Sequence, residues 1–244
     1  MKKLHWSLLK RLYRLRNRFG VYSRLDRSWL LDNRNWIDQQ LLIRRPYEVG
    51  QLAHCRRYIR QHRLQYFFDI GANFGLYSVL LSDETNLLYI NAFEPLPRNA
   101  HQFGANLYLN GLDDRITLHR CALSDCGGEV ELFVDPASTG VSTLLSAAQR
   151  SRQDAYKTSI TVEMRVFDEQ FALVGVRALV KIDVEGAELM TLAGMCGFLS
   201  KNQTVVQVET TADTRDEVEK FFDRMGYRSI ERLGPDAYYT NIQS

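Results

Sequence analysis

Tyr66-Phe67-Phe68-Asp69-Ile70-Gly71-Ala72-Asn73-Phe74-Gly75 is an apolar burst that runs into a glycine turn, and residues 76–82 beyond it have helical character. A strand turning on glycine into a helix is the opening of a βαβ unit. Glycine lets the backbone approach a ligand without a Cβ, and the helix N-terminus beyond it favours anionic groups. The dinucleotide pattern GxGxxG is not met, because Asn73 stands at the second glycine place and Gly75 follows two residues later. Asn tolerates positive φ better than most residues, so the turn survives the departure.

Downstream the alternation continues. Residues 88–93 read as a second strand ending at Glu94-Pro95, a helix follows to Leu109, and Asn110-Gly111 forms a C-cap pair. Residues 116–123 read as a third strand and 129–134 as an exposed or edge strand. Residues 135–159 read as a polar loop or short helix, in which Ser142 and Thr143 are candidates for hydroxyl contacts; residues 160–166 alternate again. Residues 178–184 and 204–209 suit buried strands, with helices at 187–199 and 213–225. Residues 227–233 and 237–242 flank Gly234-Pro235-Asp236 as a closing hairpin. Five βα-type strands and a hairpin predict an α/β fold, its sheet mainly parallel with an antiparallel close and helices on both faces.

Upstream the texture differs. Residues 1–65 carry 16 Lys and Arg against 4 Asp and Glu, although the whole chain of 244 residues has a net charge of only +2. A basic N-terminal extension, 1–65, thus precedes an acidic domain, 66–244. Residues 1–20 predict an amphipathic helix with Leu4, Leu8, Leu12, Leu15 and Phe19 on one stripe and Trp6, Leu9 and Tyr13 broadening it. Such a helix suits either an anionic membrane surface or the acidic body of the protein itself. Residues 21–50 read as a loop-rich connection, and a helix follows over about 47–62. The apolar N-terminal residues are broken by Lys10 and Arg11 before a signal peptide accumulates, and no apolar run approaches the ~20 residues that span a bilayer. Four cysteines without a CxxC pair suit free thiols, and the expected location is cytoplasmic or peripheral at a membrane.

Three features carry chemistry. Glu94 ends the second strand where a carboxylate can accept both hydroxyls of a nucleoside ribose. Asp125, after the third strand, is placed to receive an adenine amino group. Lys181-Ile182-Asp183-Val184-Glu185-Gly186-Ala187-Glu188 gathers three acids at the C-terminal end of a buried strand, an expensive arrangement unless it binds a cation or moves protons.

In order along the chain, the Asp69–Gly75 turn, Phe93-Glu94-Pro95, Asn106-Leu107-Tyr108-Leu109-Asn110, Ala122-Leu123-Ser124-Asp125 and the Lys181–Glu188 block resemble the FkbM family of S-adenosylmethionine-dependent methyltransferases. The resemblance spans roughly residues 66–242 and implies a class I (Rossmann-like) methyltransferase sheet. It also implies O-methylation of a saccharide, glycoconjugate or related metabolite, with a small-molecule or glycan acceptor. Gly71, Asn73 and Gly75 would shape the methionine side of the donor site, with Asp69 near the ammonium group and Glu94 on the ribose. Asp183 and Glu185 are the catalytic candidates, acting as a base, as ligands to a divalent metal or as acceptors of sugar hydroxyls. The alternatives are an RNA methyltransferase using the basic extension and a cofactor-binding scaffold without catalysis. The acidic body argues against nucleic acid, and the Asn73 departure argues against a nicotinamide dehydrogenase.

Overall fold

The computed structural model describes residues 2–15, 17–134 and 158–243. The expected loop at 135–159, with Ser142 and Thr143, lies almost wholly outside the described residues. The chain opens with helix α1 (Lys2–Arg14), strands β1 (Phe19–Arg24) and β2 (Arg27–Asp32), and helices α2 (Trp36–Leu42) and α3 (Val49–His62). β3 (Tyr66–Ile70), α4 (Leu76–Leu81), β4 (Tyr89–Phe93), α5 (Pro97–Leu109) and β5 (Ile116–His119) follow as the expected strand–helix alternation. β6 (Ala122–Ser124), β7 (Gly128–Val134) and β8 (Thr158–Val166) lead through α6 (Phe167–Gln170) to β9 (Arg177–Ile182). The chain closes with α7 (Glu188–Ala193), α8 (Cys196–Lys201), β10 (Gln203–Glu209), α9 (Arg215–Arg224), β11 (Arg228–Leu233) and β12 (Asp236–Thr240).

Seven strands form the central sheet in the order β11-β12-β10-β9-β3-β4-β5. From β5 to β10 all neighbours are parallel, and β12 enters antiparallel against β10. The strand order reverses between β3 and β9, which opens a crevice at their C-terminal ends. Successive residues of each buried strand face opposite cores, as the period of two requires. Phe67, Leu179, Val205 and Tyr238 face a core shared with α3 and α4; Phe68, Val180, Val206 and Tyr239 face one shared with α7, α8 and α9. Helices therefore cover both faces.

The basic extension is more ordered than its composition suggests. Residues 21–50 contain a hairpin and a helix instead of a loop-rich connection, and Trp29, Leu31, Leu41 and Leu42 join the same core as Phe67 and Val79. The hairpin turns on Leu25 and Asp26, both at positive φ as a primed turn requires. The polar residues that read as loop are buried because they are hydrogen-bonded. The Asp32 carboxylate takes Arg18 at 3.0 Å and Arg98 at 2.8 Å, and Asn35 caps α2 through the amides of Ile37 and Asp38. Asp38 accepts from the Asp32 amide and from Gln102, and burial pushes its pKa up to about 6.

Three expected elements are divided. The helix predicted over 1–20 ends at Arg14, since Asn33 takes the Tyr13 and Asn17 carbonyls with its side chain and the Arg18 carbonyl with its amide, and Phe19 opens β1. The strand predicted over 116–123 splits at Arg120: β5 stays in the central sheet, whereas β6 joins β7 and β8 in a three-stranded sheet. The helix predicted over 187–199 breaks at Gly194, where a Cβ would collide with the Ser124 carbonyl of β6.

Candidate active site

A cavity of about 340 Å³ lies at the C-terminal ends of the central strands. That volume is within the range of small-ligand pockets. The turn after β3 forms one wall. Gly71 has φ +82°, and a Cβ on it would collide with the Asp183 carbonyl, so the turn and the acidic block lie back to back. Asn73 takes positive φ at 53°. Its amide donates to Glu94 Oε2 at 2.8 Å, and the Leu96 amide donates to Oε1 at 2.8 Å. The Glu94 carboxyl is buried, and burial pushes its pKa up to about 7 against those backbone donors. Asn99 Nδ2 also donates to Oε1, at 3.5 Å, so of a carboxylate's roughly four lone-pair sites one is open to a hydroxyl donor. Buried carboxyl, glycine cradle and cavity together fit a ligand that carries a nucleoside.

At the other end the strands bring acids together. Lys181, on β9, is buried; its ammonium lies 3.0 Å from Asp183 Oδ2 and 4.7 Å from the centre of the Tyr77 ring. Burial alone would lower its pKa, but Asp183, Asp69 and Asp236 outweigh that and raise it. Glu209 ends β10 beside Asp183 and shares a hydrogen bond with it; burial and the Asp183 charge raise its pKa. Glu185 adopts the left-handed conformation at φ 51°, which is strained for a side chain of this kind, and its pKa rises to about 7 through burial and the neighbouring Asp183 and Glu188. Glu188 receives the Gly186 amide at 2.7 Å, closing the turn into α7.

The extension supplies the roof. Trp36 and Tyr47 line the cavity and meet edge to face at 6.1 Å. Glu48 also lines it, held at φ 55° and accepting the Tyr77 hydroxyl at 2.7 Å.

Of the residues expected from sequence, Gly71, Asn73, Glu94, Asp183 and Glu185 line this single cavity. Asp69, Gly75 and Asp125 are not among its lining residues. Asp69 is buried beneath the turn, where Ser78 donates to Oδ2 from its amide at 3.1 Å and its hydroxyl at 2.7 Å. Gly75 is needed for packing, since a Cβ there would run into the Phe103 ring. Asp125 is exposed and accepts the Ser124 hydroxyl at 3.2 Å. Sequence reasoning missed Trp36, Tyr47, Glu48, Tyr77 and Glu209. Only Glu209 carries a readable signal, an acid at the C-terminal end of a buried strand.

Among the described residues no group of three or more His, Cys, Asp and Glu side chains has a metal-holding arrangement, and no helix is long and apolar enough to cross a membrane.

The family model for the methyltransferase FkbM domain matches residues 69–229. Methyltransferase sdnD of Sordaria araneosa is 26% identical over 216 residues, covering 76% of this chain and 83% of its own length. Hexuronic acid methyltransferase AglP of Haloferax volcanii is 26% identical over 241 residues, 94% of this chain and 95% of its own. Among solved structures, methyltransferase FkbM from Methylobacillus flagellatus superposes on 98% of this chain with a TM-score of 0.51 and 15% identity, a likeness of fold. This chain spans 58% of that protein's length.

Proposed function

The chain belongs to the FkbM methyltransferase family, and from that premise we propose that it moves the methyl group of S-adenosylmethionine to a hydroxyl of a saccharide or glycoconjugate. The observation that carries this reading is one cavity lined both by a glycine turn with a buried Glu94 and by Asp183, Glu185 and Glu209 under an aromatic roof. S-adenosylmethionine, when bound, supplies a methyl already activated by a positive sulfonium, so the protein's part is to position the acceptor and exclude water. Gly71 and Asn73 leave room for the donor against the backbone, and Glu94 accepts a ribose hydroxyl.

In this reading Glu185 takes the acceptor hydroxyl proton as the new O–C bond forms, because a carboxylate with a raised pKa is a stronger base than a solvated one. Asp183, anchored by Lys181 and sharing a hydrogen bond with Glu209, holds a second hydroxyl and orients the ring. The Lys181 ammonium already pairs with Asp183, which favours this role over binding of a divalent ion. Aromatic Trp36 and Tyr47 offer apolar faces for the C–H side of a sugar ring. Incubation with methyl-labelled S-adenosylmethionine and fractionated cell material is the test: label in a glycan or glycolipid fraction supports the reading, and label confined to RNA overturns it. The proposal includes attachment of α1 to an anionic membrane, supported by exposed Leu12 and Leu15 beside basic residues.

A further inference from the structure

Asp183 and Glu209 leave the ends of neighbouring parallel strands. β9 and β10 are in register up to Ile182 and Val208, so the next residue of each emerges beside the other at the cavity, which both line. Their carboxyl groups share a hydrogen bond. An ionised carboxylate only accepts, so a hydrogen bond between two carboxyl groups needs a proton on one of them. Two ionised groups at that separation would repel each other, which is why close carboxyl pairs hold one proton between them. Lys181 decides which acid keeps it. Its ammonium lies 3.0 Å from Asp183 Oδ2 and favours the ionised form there.

Around Glu209 the other groups leave it uncharged. Asp236 is its partner across the sheet on β12, and Tyr47 reaches it from the extension. Asp236 accepts from Gln207 at 2.8 Å and Gln51 at 3.1 Å, and Glu48 accepts the Tyr77 hydroxyl. Arg232 of β11 donates to Thr210 Oγ1 at 3.1 Å, and Glu185 follows Asp183 in the turn. Burial and the Asp183 charge raise the Glu209 pKa well above the usual carboxylate range, although Lys181 works against them. We infer that Glu209 is a positioning residue that works as a neutral acid, its O–H donating to Asp183 and, with Lys181, fixing that carboxylate against the acceptor hydroxyl. This rests on the role proposed above for Asp183. Position 209 then has to supply a hydrogen-bond donor and not a charge, which glutamine does and leucine does not.

The carbonyl stretch of a protonated carboxyl group, which a carboxylate lacks, reads the proton in the full chain. At pH 8, where Glu94 and Glu185 with pKa values about 7 are largely ionised, the infrared spectrum should lose one such band on Glu209→Gln. Added Mg²⁺ or Mn²⁺ should leave that band in place. Transfer from labelled S-adenosylmethionine is then followed into whichever cell fraction the wild-type protein labels. Glu209→Leu should slow turnover on the order of a hundredfold, Glu209→Gln should retain most of it, and calorimetry should show the donor bound equally well by both. Raising the pH beyond 8 should slow the wild-type protein and spare Glu209→Gln. Infrared spectra that superpose, a band displaced by the metal, or Glu209→Gln as slow as Glu209→Leu would overturn the inference and leave the saccharide reading intact. Label confined to RNA would overturn the saccharide reading, and the same variants would then decide the inference on RNA. Donor binding with no fraction labelled brings both down.

Discussion

Glu94 is a buried acid held by two backbone amides, and in the proposed donor site its pKa near 7 should make donor binding a proton-linked event. A ribose hydroxyl donates to the ionised form, so the complex should have a lower Glu94 pKa than the free protein, and a proton should leave on binding. Donor affinity, measured by calorimetry between pH 5.5 and 8, should therefore weaken below pH 7 by up to about tenfold per unit. Glu94→Gln should bind more weakly and lose that slope; an unchanged slope in the variant would remove Glu94 from the donor site. Glu185, with its own pKa near 7, predicts a kcat/KM that rises through that pH as the carboxylate forms. Glu185→Gln should lower kcat by about 10²–10⁴-fold with donor affinity nearly unchanged, whereas normal turnover would exclude it as the base. At this scale the sequence revealed residues whose neighbours are close in the chain. Gly71, Asn73 and Glu94 sit at strand ends with turn chemistry of their own. Glu48 and Tyr77 become site residues only through contacts across the fold, such as the hydrogen bond between them, and no spacing announces these.

Helix α1 belongs to the extension yet shows two faces. Tyr13 packs edge to face on Tyr22 at 5.7 Å and its hydroxyl accepts from Arg24 at 3.0 Å, and Arg45 lies over the Trp6 ring at 5.1 Å. Leu12 and Leu15 remain 52% and 84% exposed. The packed face ties the helix to the basic hairpin, while the apolar and basic residues left outside are what an anionic bilayer attracts. Cosedimentation with anionic vesicles at low salt should retain the full chain and lose most of it when residues 1–20 are deleted. Equal behaviour of the two chains would confine α1 to a role within the fold. Elements were legible where a short apolar run ended at glycine or an acid, as in β3, β9 and β10. The β1–β2 hairpin and α2 were hidden because their buried polar residues, among them Asp32, Asn33 and Asp38, imitate a loop until their partners are known.

Across the whole molecule, buried acids set the pH response. Asp38 titrates near 6, and Glu94 and Glu185 near 7, all above the ~4 expected of unfolded carboxyls. The stability such groups contribute is complete below the unfolded pKa and is lost as pH rises through the folded one. Glu84 runs the other way: burial opposes its ionisation, but Arg60 and Arg56 win and lower its pKa, so its share is lost on acidification. His62 and His119, lowered by burial, also disfavour the acid side. The melting temperature should thus be higher at pH 6.5 than at pH 8.5, by about 3 °C or more; the reverse order would contradict the buried-acid assignment. The parallel sheet and its closing hairpin were legible because each strand announces itself locally. The union of the extension with the body was not, since it depends on Trp29 and Leu31 reaching the core around Phe67. That union has an evolutionary consequence. Glycine turn, Glu94 and the acidic block fall inside the stretch that marks the family, whereas Trp36, Tyr47 and Glu48 fall before it. In the proposed reading, part of the acceptor's surroundings is thus carried on a piece of chain outside the family stretch, and a lineage that exchanges this roof for another should acquire a new acceptor without relearning the chemistry.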